Sequence, residues 1–310
     1  MLAITALHET QIMASCIVDI FLQSRQGSTL RAYQADMRDF ATFMGINSNG
    51  AAQLLLCHGA GQANRLVLEY RTSLEGKGLS SATINRRLAT LRSLVKLSWM
   101  LGLVTWELEI ESLKNESYRD TRGPQESGFR AMEGAVSERT GAKGARDRAI
   151  LYLLHDLALR RGEICSLNLQ DFDPFNRTLF VLGKGKKQKS KMSLPERTYE
   201  ALMAWVNARG SEPGPLFTTA HRGMAGARLT TSGLYRIVQA MGEDADLSSP
   251  VTPHQIRHTA ITTAVERAAE NEVDLDKVRQ FSRHANIKTL QIYVDRHEDF
   301  QGKISEMVAR

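Results

Sequence analysis

From about residue 14 to residue 108 the apolar side chains return every three or four positions, a rhythm that admits little except packed helices. Ile17, Ile20 and Phe21 form one such set, and Tyr33, Met37, Phe40 and Phe43 a second. Ser28-Thr29 offers hydroxyls of the kind that cap a helix start, and Ser80-Ser81 does the same for a further helix. In that helix Ile84, Leu88, Leu91, Leu94, Val95 and Trp99 share one stripe, with Arg86, Arg87 and Lys96 largely off it. Taken alone, the region reads as a bundle of about four or five helices with a solvated basic face.

The rhythm fades between Glu109 and Gln125, in a polar stretch ending in Gly123-Pro124 that reads as a linker. Helical patterning resumes at Arg146 and runs through to about Leu167, with Arg160–Glu163 on a helix end. One β signal stands out: Thr178, Leu179, Phe180, Val181 and Leu182, then Gly183-Lys184-Gly185-Lys186-Lys187-Gln188-Lys189, then Lys191, Met192, Ser193 and Leu194. Two short apolar runs around a glycine-containing turn predict a hairpin. From about Glu196 the chain is helical again, with loops near residues 211–215 and 248–253. At roughly 100–200 residues per domain, the 310 residues predict a helical domain over 1–108, a linker over 109–126 and a larger, mainly helical domain over 127–310.

The chain carries 40 Lys and Arg against 34 Asp and Glu, a net charge of +6. Such a balance suits nucleic acid, and the placement matters more than the sum. Arg86, Arg87 and Arg92 form one basic cluster and residues 183–191 a denser one, and neutralising phosphates needs that kind of local density. Cys16, Cys57 and Cys165 are far apart with no C-x-x-C pair. That excludes a disulfide framework or a cysteine zinc site, fits a reducing cytosol, and predicts three small buried hydrophobes. No stretch approaches the roughly 18 uninterrupted apolar residues of a membrane span. The first residues, with His8, Glu9 and Asp19 set among apolar ones, do not form a signal peptide. Around Lys184 the G-x-x-x-x-G-K-[ST] spacing is missing, which excludes a nucleotide-phosphate loop.

Five short elements carry chemistry: Arg160-Arg161-Gly162-Glu163, Lys184, His254-Gln255-Ile256-Arg257-His258, Arg283-His284, and Tyr293. Their order resembles the tyrosine recombinase (integrase) family, whose signature runs Arg, Lys, His-x-x-Arg, His, Tyr. Lys184 follows Arg160 by 24 residues and Tyr293 follows His284 by 9, as in that family. Glu163, three after Arg160, matches a position the family usually fills with an acid, and this register selects Arg160 over Arg161. The resemblance implies a helical, SAM-like core-binding domain and a mainly helical catalytic domain with a small antiparallel β-hairpin or sheet. It implies DNA cleavage and rejoining with Tyr293 as nucleophile, through a 3′-phosphotyrosyl link and a free 5′-hydroxyl. Arg160 and Arg257 would offer planar forks of donors to the phosphate. His254 is the candidate base, His284 a phosphate donor and Lys184 the candidate acid, while Glu163 orients the arginines or His254. The bond energy is stored, so neither ATP nor a metal is expected. Arg86, Arg87, Arg92, Lys186 and Lys187 are the expected phosphate contacts. The implied partners are double-stranded DNA with short inverted-repeat sites and three further copies of the chain. Residues 300–308, with Phe300, Ile304, Met307 and Val308 on one helical face, would dock on a neighbouring copy. With helices starting by about residue 14, no separate arm-binding domain is expected ahead of them. That favours a simple Xer-type or transposon- and plasmid-borne enzyme acting in the bacterial cytoplasm.

The sequence departs from the family at Ser282-Arg283, where Leu-Gly is usual. An arginine there either adds a phosphate contact or distorts the turn. The Arg257-to-His284 interval is also slightly long, with an acidic, polar insertion around residues 266–276. Two other readings stay open. A zinc hydrolase could use His254 and His258, four apart on a helix, although Gln255 stands where H-E-x-x-H needs a glutamate. A catalytically silent recombinase-like regulator could bind DNA with the same fold.

Overall fold

A computed structural model describes residues 16–114, 123–183, 185–219, 226–283, 305 and 309. The chain divides into two compact units, Met1–Arg119 and Asp120–Arg310.

The first unit holds five helices: α1 (Ile17–Gln23), α2 (Gly27–Met44), α3 (Ser48–Cys57), α4 (Ala60–Gly76) and α5 (Ser81–Met100). Their apolar stripes meet in one core that includes Phe21, Met37, Phe40, Leu55, Tyr70, Leu88 and Leu94. Ser80 caps α5 by accepting the Thr83 N–H. α2 begins one residue before Ser28, with Gln26 at the cap and no side-chain cap bond, so the expected hydroxyl cap is not where the helix starts. Trp99 also leaves its stripe: it lies near the end of α5, where the bundle no longer covers it, and is 48% exposed. The opening of the expected linker is held down, since Asn85 bonds both the N–H and the carbonyl of Leu113 and Ile110 is buried.

In the second unit α6 (Gln125–Glu138), α9 (Glu196–Arg209) and α11 (Pro253–Glu270) pack around α7 (Gly141–His155). Residues 149–154 of α7, Ala-Ile-Leu-Tyr-Leu-Leu, are all buried, and a helix apolar on every side belongs at the centre of its domain. The helical patterning through Leu167 resolves into two helices: α7 ends at His155, and α8 (Arg161–Ser166) follows a sharp corner. Next come β1 (Phe172–Asp173), β2 (Thr178–Leu182) and β3 (Lys189–Ser193), an antiparallel sheet in that order. β2 and β3 are the predicted hairpin, and β1, only two residues long, was too short to show as a pattern. α10 (Thr231–Asp244) and α12 (Leu275–Ser282) complete the unit. The expected insertion around residues 266–276 is the last turn of α11, a short turn and the start of α12. Of the three cysteines only Cys165 is buried, with burial pushing its thiol up to about 11. Cys16 is half-buried and Cys57, in the last turn of α3, is exposed, which corrects the expectation for both.

Candidate active site

Segments distant in sequence meet on the corner between α7 and α8. Ala158 is fully buried there at φ 45°, with its N–H on His155 O and the Leu159 N–H on Leu153 O. This ending of α7 leaves the carbonyls of Leu157 and Ala158 to side-chain donors. Arg257, on α11 and 2% exposed, donates to Ala158 O and to Ser282 O. Arg283, at the end of α12, donates to Leu157 O at 3.0 Å and to Ala158 O at 2.8 Å.

Arg160 leads into α8, and Glu163 lies one turn in. The Glu163 carboxylate accepts the Arg160 backbone N–H at 2.8 Å and its guanidinium at 2.9 Å. An acid three residues past the cap can reach back in this way, which gives the Arg-x-x-Glu spacing a physical cause. Glu163 also accepts from Arg283 at 3.0 Å, and Arg160 donates to Arg283 O at 3.2 Å. Burial pushes the Glu163 carboxyl up, but the Arg283 charge and the bonds from Arg160 outweigh it and hold the pKa below the ordinary glutamate value. The Arg160 side chain remains 32% exposed, with its guanidinium anchored on the Glu163 carboxylate and on Arg283 O.

His254 lies in the first turn of α11, behind the Thr252 cap and Pro253. Desolvation of the ring, and then the charges of Arg257 and Arg160, lower its pKa. The neutral imidazole is favoured near pH 7, as a proton acceptor requires. The site thus brings together Arg160, Glu163, His254, Arg257 and Arg283. Sequence reasoning aims the Arg257 fork at a phosphate; here it is turned onto two backbone carbonyls, because a buried guanidinium needs acceptors within the protein. His258 is buried while His254 is exposed. Among the described residues no group of three or more His, Cys, Asp or Glu side chains is gathered that could hold a metal ion.

Lys184, His284, Tyr293 and the face formed by residues 300–308 lie outside the described residues. At the hairpin tip the Lys186 N–H bonds Gly183 O at 3.0 Å, Gly185 takes φ 76°, and Lys186 and Lys187 are exposed. In the other unit Arg86 pairs with the buried Asp36, Arg87 with Asp39 at 2.6 Å, and Arg92 donates to Ser112 at 3.0 Å. The corner at Ala158 is the site feature that sequence reasoning missed: alanine gives no sign of a left-handed backbone.

The family model described as "Phage integrase family" matches residues 131–299, more than half of the chain. A tyrosine recombinase of Synechocystis sp. is 37% identical over 296 residues, covering 94% of this chain and 93% of that protein. The chain belongs to the tyrosine recombinase family. It is therefore a DNA strand-transferring enzyme by class, which removes the zinc-hydrolase reading. The recombinase is also similar to tyrosine recombinase XerC of Bacillus subtilis, 30% identical over 277 residues, covering 86% of this chain and 84% of that one. Solved structures share its fold. A lambda integrase dimer bound to a COC′ core site matches with TM-score 0.64 at 14% identity, covering 92% of this chain and 78% of that one. The Tn1549 transposon integrase in complex with transposon right end DNA matches with TM-score 0.61 at 20% identity, covering 90% and 98%. Among the described residues no helix is long and apolar enough to cross a membrane.

Proposed function

We propose that the recombinase cleaves and rejoins DNA at specific sites through a 3′-phosphotyrosyl intermediate on Tyr293. The Tyr293 oxygen attacks the scissile phosphorus and the 5′-oxygen leaves, so one P–O ester replaces another and no external energy is needed. His254 takes the phenol proton and Lys184 protonates the departing 5′-oxygen. Arg160, Arg257 and His284 stabilise the charge that builds on the non-bridging oxygens, at roughly 3–4 kcal/mol per well-placed donor. Arg257 gives up a carbonyl acceptor for a phosphate oxygen as DNA enters. The observation that carries this reading is the partly exposed Arg160 side chain, fixed by Glu163, beside a histidine whose pKa is lowered by desolvation and by the charges of Arg257 and Arg160.

The same reading gives the partners. Lys186, Lys187, Arg86 and Arg92 contact phosphates of a duplex with short inverted repeats, whereas Arg87 stays on Asp39. Exchange of both strands of two duplexes takes four copies of the chain, and residues 300–308 dock on a neighbouring copy. A groove of about 900 Å³ suits such a segment, with Phe129 and Ala260 buried in it and Arg130 and Arg267 exposed at its edge. If removing residues 299–310 leaves synapsis intact, the docking is wrong. The reaction serves integration, excision or resolution of a mobile element or replicon in a bacterial cytoplasm.

The test is to incubate the full chain with fragmented source DNA, denature in detergent, and sequence the DNA that stays attached, with Tyr293→Phe in parallel. Covalent capture of a few inverted-repeat sequences by the wild type alone is expected. Binding without attachment in both proteins would overturn the chemistry.

A further inference from the structure

We infer that Arg283 is a positioning residue, which fixes the Arg160 guanidinium through Glu163 and ties the end of α12 to the corner between α7 and α8. The inference rests on the proposed phosphate role of Arg160. Arg283 ends α12 at φ 53°, ψ 38°, a left-handed conformation that glycine adopts freely and a side chain with a Cβ resists. Its side chain does not extend into solvent, where an arginine is at ease. It turns inward and is only 16% exposed. There it meets Glu163 Oε2 at 3.0 Å, Leu157 O at 3.0 Å, Ala158 O at 2.8 Å and, more loosely, Phe281 O at 3.3 Å.

These bonds close a ring. Arg283 donates to Glu163, Glu163 accepts from both the backbone and the side chain of Arg160, and Arg160 Nη2 donates to Arg283 O at 3.2 Å. Glu163 is nearly buried, and with Arg160 alone its second oxygen would hold only a backbone N–H. Arg283 supplies that oxygen with a second, charged donor. The carboxylate is then fixed from two sides and can set the plane of the Arg160 fork. Strained backbone held by an over-determined network is the arrangement expected where geometry matters to function. Arg283 therefore acts through Glu163 and Arg160, with both of its terminal nitrogens on protein acceptors.

The experiment uses the full chain and a DNA fragment recovered by covalent capture. Single-turnover adduct formation, DNA affinity and melting temperature are measured for wild type, Arg283→Gly and Arg283→Lys. Glycine suits the backbone but leaves Leu157 O, Ala158 O and Glu163 without their Arg283 donors. Arg283→Gly is therefore expected to melt lower than wild type while staying folded at the assay temperature. It is expected to bind DNA within about twofold and to form adduct at least about tenfold more slowly. Arg283→Lys, which keeps a charge for Glu163, is expected to recover much of that rate. Arg283→Gly cleaving within about twofold of wild type would overturn the inference. So would a rate loss that follows DNA affinity or melting temperature, with lysine no better than glycine. A wild type that forms no adduct removes the phosphotyrosyl reading itself, and this inference with it.

Discussion

His254 carries the sharpest residue-scale consequence, because two guanidinium charges and ring desolvation act on it in one direction. Its neutral form persists to more acidic pH than for an ordinary histidine. An NMR titration of the ring should show a midpoint below 6.5, moving upward in Arg160→Met as one of those charges is removed. A midpoint at or above the ordinary value would deny His254 the role of base at neutral pH. Arg257 makes a different demand. Its fork holds the carbonyls of Ala158 and Ser282 in the interior, and Arg257→Met leaves both without that donor. A loss of about 2–4 kcal/mol of folding stability is expected by denaturant titration. An inactive Arg257 variant therefore says nothing about phosphate contact until its stability has been measured. A variant as stable as wild type would show that the buried fork is not a structural tie.

Among the elements, α7 and α9 are joined by a latch at Asp156. This carboxylate ends α7, where the helix dipole opposes a negative charge. It is held by His155, by Arg197, and by the Thr198 hydroxyl at 2.7 Å. Burial raises its pKa, but these bonds prevail and bring it down to about 2 from 3.8. A depressed carboxylate stabilises the fold above its unfolded value and loses that contribution as pH falls through the folded one. Between about pH 4 and pH 2 the wild type should therefore lose about 2 kcal/mol that Asp156→Asn does not lose. Unfolding curves that run parallel for the two proteins across that window would refute the latch. Neither this latch nor the corner beyond it is legible in the sequence. Periodicity reports which residues face a core, and it read α5 and the β2–β3 hairpin well from Ile84 to Val95 and from Thr178 to Leu182. It is blind to a helix that stops inside an apolar run, because Leu157, Ala158 and Leu159 are as buried after the break as residues 149–154 are before it.

At the scale of the whole molecule, the sequence made Arg160, Glu163, His254 and Arg257, the described part of the candidate site, legible as an ordered set of residue types, while the pairings among charges were not. Arg160 and Glu163 could be matched because a helix turn fixes their spacing. Arg87 and Asp39 are 48 positions apart and meet only because α2 packs on α5. A net charge of +6 therefore overstates the basic surface open to a phosphate. The Arg87 charge already faces Asp39 and its side chain is 17% exposed, whereas Lys186 and Lys187 are exposed at a hairpin tip. Counterion release separates the two cases, because each lost phosphate contact lowers the slope of log affinity against log salt by about 0.9. Replacing Lys186 and Lys187 together by alanine should lower that slope by about 2, and Arg87→Met should leave it nearly unchanged while costing folding stability. Fluorescence anisotropy from about 50 to 200 mM salt, on one DNA fragment, measures both variants against wild type. A slope unmoved by the lysine pair would take the hairpin off the DNA. A slope lowered by Arg87→Met as much as by one lysine would mean that its ion pair with Asp39 opens when the duplex binds.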